Sequence, residues 1–62
     1  MAKKLRIFSM QEFEKMLDDA RNVKVVSQII IVAMGQLSQK KLSHYAFAGL
    51  LSKASEKIYQ FN

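Results

Sequence analysis

The chain has no cysteine, no proline and no tryptophan, and only two glycines and one histidine among its 62 residues. Without cysteine there is no disulfide staple and no thiolate metal site. Without proline, and with so little glycine, there is no linker, repeat or low-complexity tract. No glycine-rich phosphate loop is present either. Long apolar runs are also missing: the cleanest, Ile29 to Met34, is far short of the roughly 20 residues a bilayer-spanning helix needs. The N-terminal MAKKLRIF carries basic residues with no apolar run of signal-peptide length behind them, so a cytoplasmic protein with no membrane partner is expected.

The chain does have an apolar centre. Residues 23 to 37 read VKVVSQIIIVAMGQL, with ten apolar positions out of fifteen and no acidic group. Seven of the fifteen are β-branched, which suits a strand. Strict alternation nevertheless fails at Val25-Val26 and again through Ile29 to Val32. Val23, Val26, Ile29, Ile30, Ala33 and Leu37 step by three or four, so a helix is preferred. Val25, Ile31 and Val32 fall outside that stripe, and a helix apolar on more than one side is normally covered by more than one neighbour. A chain this short buries only about 60% of its unfolded surface, yet half of its residues are apolar. Self-association reconciles the two, with Val25, Val26, Ile29, Ile30, Ile31 and Val32 as the expected homodimer interface.

The net charge of +5 is unevenly distributed: +3 over residues 1 to 9, −3 over residues 10 to 20, and +5 over the remainder. Such a balance suits a polyanion or an acidic protein surface.

Local signals divide the chain further. Residues 1 to 8 read as a basic arm or a short strand, and residues 9 to 62 as a helical core. Ser9-Met10-Gln11-Glu12 has the form of a capping box, and Phe8 and Phe13 stand where a hydrophobic staple closes. A first helix should run from Met10 to about Ala20 with Met10, Phe13, Met16, Leu17 and Ala20 inward. Asp18 and Asp19 oppose the dipole at its C-terminal end, which stability alone does not explain. Arg21 and Asn22 make the first turn. Ser38 is a candidate N-cap for a third helix opening at Gln39.

Residues 39 to 61 allow two readings. As one straight helix, Phe47, Leu50, Leu51, Ala54, Ile58 and Phe61 share a face. With a break near Gly49, Leu42, Tyr45 and Ala46 face inward before it, and Ala54, Ile58 and Phe61 after it. In the broken form, Ala48-Gly49-Leu50-Leu51-Ser52-Lys53-Ala54-Ser55 resembles the turn and recognition-helix start of helix-turn-helix repressors. It departs from that pattern in one extra aliphatic before Ser52 and in Tyr45 at a position that favours a small residue. The resemblance implies Ser52, Lys53, Ser55, Glu56 and Lys57 toward a DNA groove, with Lys40 and Lys41 at phosphate. The order of an arm strand from Lys4 to Phe8 followed by helices is also similar to ribbon-helix-helix regulators, although the Arg21-Asn22 turn lacks their usual glycine.

Catalytic and metal sites are poorly served. His44 has no carboxylate at helical spacing to orient it, and Glu14 with Asp18 lacks a third ligand. Tyr45 and Tyr59 are the rings free of the inner stripes. No enzyme, cofactor or metal is expected. The overall expectation is an all-α bundle of three short helices, or four if the last one breaks, forming a homodimer. Its leading function is nucleic-acid binding, DNA before RNA, as a small regulator acting through Lys3, Lys4, Arg6, Lys40, Lys41, Ser52, Lys53, Ser55 and Lys57. The alternative is an inhibitor or adaptor that presents an apolar helical face to a larger protein partner.

Overall fold

The computed structural model describes residues 6–61, which form three helices: α1 (Met10–Asp19), α2 (Val23–Ser38) and α3 (His44–Gln60). There is no strand among the described residues. The central element is therefore helical as its spacing indicates, despite its β-branched content. Arg6 to Phe8 is neither strand nor helix, so the strand option for the arm fails there. Lys3 and Lys4 lie outside the described residues.

Each helix begins at a side-chain cap. The Ser9 hydroxyl accepts from the Glu12 amide at 3.1 Å, and the Glu12 carboxylate accepts from the Ser9 amide at 2.9 Å. The rings of Phe8 and Phe13 meet with centroids 5.5 Å apart, which fixes the angle at which the chain enters α1. Asn22 caps α2 by accepting from the Val25 amide at 2.9 Å. Ser43 caps α3 by accepting from the Ala46 amide at 3.0 Å.

The third helix thus starts five residues later than the Ser38 cap proposes. Ser38 is still inside α2, and the reason lies just beyond it. Lys40 adopts a left-handed backbone, φ 61°. The Lys40 amide donates to the Leu37 carbonyl at 3.0 Å and the Lys41 amide to the Gln36 carbonyl at 2.8 Å. These two bonds form a Schellman motif that satisfies the end of α2. Helix cannot continue through it, and the chain needs residues up to Ser43 before it can turn back.

α3 runs through Gly49 without a break, so the turn of a helix-turn-helix unit at Ala48 to Ser55 is absent, and so is a fourth helix among the described residues. A continuous helix puts Leu50 and Ala54 in the core and half-buries Phe47 and Ile58. Breaking it would withdraw those contacts while Gly49, whose added Cβ would meet only the Met10 methyl at 3.4 Å, demands no turn.

The core joins Phe13, Leu17 and Ala20 of the α1 segment to Val26, Ile29 and Ala33 of α2 and to Leu50 and Ala54 of α3. Phe13, Leu17, Val26 and Leu50 are fully enclosed, and each contributes about 1.5–3 kcal/mol by burial. α2 and α3 pack as a hairpin joined by a short loop, and α1 lies across both. Gln36 is the one buried polar side chain among the described residues. Its amide nitrogen donates to the Phe8 carbonyl at 3.0 Å and its amide oxygen accepts from the Phe8 N–H at 2.7 Å. This two-bond clasp ties the entering chain to α2.

Candidate functional site

The structure separates the apolar and the basic candidates. Between α2 and α3 an open groove of about 510 Å³ is lined by Val26, Ser27, Ile30 and Ile31 from one helix and by Leu51, Ala54, Ser55, Ile58 and Tyr59 from the other. None of these side chains carries a charge. Much of the apolar surface at and beside the groove is open to water: Ile31 is 64% exposed, Met34 52%, Leu51 44% and Tyr59 84%. A trough between two packed helices has the shape that accepts a third helix.

Its origin is visible in the helical spacing. On α2, Val26, Ile29 and Ala33 point into the core. Ile30 lies just off that line and Ile31 about 100° further round, and both line the groove toward α3. On α3, Leu51 and Ile58 lie a quarter turn off the Leu50–Ala54 line toward α2. α2 is apolar over more than half of its circumference, and with only α3 and the short α1 to cover it, one flank stays bare.

The six residues expected at a dimer interface do not form one surface. Val26 and Ile29 are buried in this chain's own core, with Val26 also lining the α2–α3 groove. Ile30 and Ile31 line the α2–α3 groove. Val25 and Val32 line a smaller cleft on the other flank, with Phe8 and Met16. Leu51 and Ile58, expected on the inner face of α3, and Tyr59, expected outside it, line the groove together with Ser27. The usable signal was the i, i+7 pair Leu51 and Ile58, adjacent to the buried line rather than on it.

The basic candidates are likewise dispersed. Arg6 forms an ion pair with Glu12 and lies over the Phe8 ring, 4.8 Å from its centroid. Lys53 pairs with the Asp18 carboxylate at 3.0 Å, and Lys57 donates to the Asp18 carbonyl at 3.0 Å. The Asp18 carboxylate raises the Lys53 ammonium pKa above its ordinary value. Two of the lysines expected at a nucleic acid thus fasten α3 to the end of α1. They also account for an acidic residue at the wrong end of a helix dipole: Lys53 offsets the charge of Asp18, and Lys57 caps its carbonyl.

Ser52 and Ser55 are exposed on α3, with Ser55 inside the groove. Lys40 and Lys41 are exposed at the turn after α2, with no ion-pair partner among the described residues. They share a shallow depression with His44 and Ser43 at the start of α3. Tyr45 is 93% exposed on the outer face of α3.

At the start of α1, Glu12 has a shifted titration. The Ser9 backbone amide and then the Arg6 guanidinium hold its carboxyl below the ordinary value. No group of three metal-ligating side chains occurs among the described residues. None of the described helices is long and apolar enough to cross a membrane. Comparison with protein families, curated proteins and solved structures finds no match to this chain.

Proposed function

We propose that this chain is a non-catalytic interaction module that buries its α2–α3 groove against an apolar helical protein surface. The observation that carries the reading is the groove itself, uncharged throughout and flanked by open Ile31, Met34, Leu51 and Tyr59. Exposed apolar surface of this continuity marks interaction sites on small proteins. Burying Leu51 and Ile31 against a partner returns about 25 cal/mol for each Å² removed from water, whereas leaving them bare invites aggregation.

The test is affinity capture in the presence of nuclease, with the wild-type chain and Leu51→Glu as baits and an untagged copy of the chain co-expressed. One stoichiometric protein held by the wild type and released by Leu51→Glu is the expected result. Identical captures by both baits would remove the reading.

A second reading, nucleic-acid binding, draws on Lys40. A lysine in the left-handed region costs roughly 1 kcal/mol or more relative to glycine, the residue that usually fills a left-handed position at a helix end. The Lys40 side chain is exposed to solvent beside that of Lys41. In this reading the pair neutralises phosphate, and affinity falls steeply as salt rises. A mobility-shift titration at low salt with DNA and RNA checks it, and an unshifted band in both would end it.

A further inference from the structure

We propose that the end of the hairpin where α2 turns into α3 binds single-stranded nucleic acid, with phosphates held by Lys40 and Lys41 and a base stacked on Tyr45. This gives a site and a ligand class to the nucleic-acid reading above, on which it rests. The site is an open depression of about 480 Å³ lined by Leu37, Lys40, Lys41, Leu42, Ser43 and His44. Lys40, Lys41 and His44 are all exposed. An imidazole carries at least one N–H donor, so three side chains able to donate to a phosphate oxygen border one hollow. None of its lining side chains is acidic.

The positive charge at this end is not cancelled by the acidic residues described. No Asp or Glu occurs from Arg21 to Ser55. Glu12 is taken up by Arg6, and Asp18 by Lys53 at 3.0 Å. Asp18, and behind it Glu14 and Glu56, raise the Lys53 ammonium above its ordinary value, which gathers those acids around the far half of α3. Lys53 follows His44 by nine positions, roughly 13 Å along a helix axis. That exceeds the Debye length of about 8 Å at physiological salt, so Lys40 and Lys41 meet solvent as a positive end that attracts an anion.

Tyr45 supplies what a phosphate site alone does not need. The ring is 93% exposed, adds nothing to the core and stands next after His44 on α3, about 100° round the helix. Stacking of bases on open rings beside a cationic track is how single strands are held irrespective of sequence. A duplex keeps its bases stacked inside and spreads its phosphates over a wide face. A small hollow with one open ring therefore favours the single strand.

The test is a fluorescence anisotropy titration of the purified full chain, at low and at physiological salt. The probes are labelled oligouridylate, labelled oligothymidylate and a labelled DNA duplex. Lys40→Gln, Lys41→Gln and Tyr45→Ala alter the site. Arg21→Gln and Lys24→Gln remove the same charge at the opposite end of α2, and Tyr59→Ala removes a ring that is also open, at 84% exposure. Circular dichroism confirms that each variant stays helical. Both single strands should bind, and the duplex more weakly. Each lysine variant of the site should weaken binding about threefold or more and reduce the salt slope by roughly 0.7. Tyr45→Ala should weaken it about fivefold or more, while the three controls leave it unchanged.

Equal losses from Lys24→Gln and Lys40→Gln would overturn the site, since net charge alone would then account for binding. A duplex held as tightly as the single strands, with Tyr45→Ala indifferent, would overturn the ligand class and leave the nucleic-acid reading standing. No binding of any probe at low salt would sink the two together.

Discussion

Two residues hold more of this fold than their types suggest. Gln36 sits at i+3 from Ala33 and i+7 from Ile29, so the spacing that defines the core stripe passes straight through it. As a polar residue it was passed over in the sequence. Its role depends on Phe8, 28 positions away, and no local pattern reveals a partner at that range. Replacing it, Gln36→Leu, keeps the volume but strands the backbone N–H and C=O of Phe8. A loss of about 1–3 kcal/mol in urea unfolding is expected. Lys40 is the opposite case, a residue whose backbone would be better served by glycine. Lys40→Gly should raise stability by about 1 kcal/mol in the same assay, while removing one of the two exposed lysines at the turn. Improved stability together with weakened nucleic-acid binding in that one variant would assign Lys40 a role outside the fold.

At the scale of the helices, the starts of α1 and α2 and the end of α1 near Ala20 were readable, and the start of α3 was not. The capping box at Ser9 and the staple from Phe8 to Phe13 involve residues three to five positions apart, so the sequence displays them whole. Ser38 and Ser43 are both competent caps, and choosing between them requires knowing where α2 stops. That is set by the left-handed Lys40, which has no signature in the residue type. The continuity of α3 depends on what its faces meet. Lys53 and Lys57 reach Asp18 only because α1 lies alongside, a contact 39 positions apart for Lys57.

Continuity makes a direct prediction. In an unbroken helix with room beside it, Gly49→Ala should stabilise the chain by up to about 1 kcal/mol, whereas a turn built on that glycine would be damaged. Thermal unfolding distinguishes the two. The start of α1 has its own pH signature. The folded state holds the Glu12 carboxyl below its ordinary value, so its contribution is present above that ordinary value and is lost as pH falls through the lowered one. Glu12→Gln retains an acceptor for the Ser9 amide without the charge. Its unfolding midpoint should therefore fall less than that of wild type as the solution is acidified below the carboxylate range.

For the molecule as a whole, size and composition anticipated an unfinished surface but not its position. Ten apolar residues in fifteen predicted that α2 would be covered on several sides. The chain supplies cover on two of them, from α1 and α3, and leaves Ile31 and Met34 open. Which flank stays bare depends on how three helices cross, and periodicity along one helix carries no information about that. If the bare flank is closed by association, folding and assembly become linked. The thermal midpoint should then climb with protein concentration, by mass action. Scans across a hundredfold dilution series check this, and a midpoint that stays constant would mean that the folded state owes nothing to a neighbour.

The Gln36 clasp has a practical bearing on all of these measurements. It holds Phe8 against the flank of α2 where Arg6 and Ile7 border Val32 and Gln39, away from Ile31 and the trough beside it. A fluorescent dye or purification handle joined ahead of Arg6 therefore departs from the far side of the hairpin. Such a handle can report on, or immobilise, the protein without standing over the α2–α3 trough.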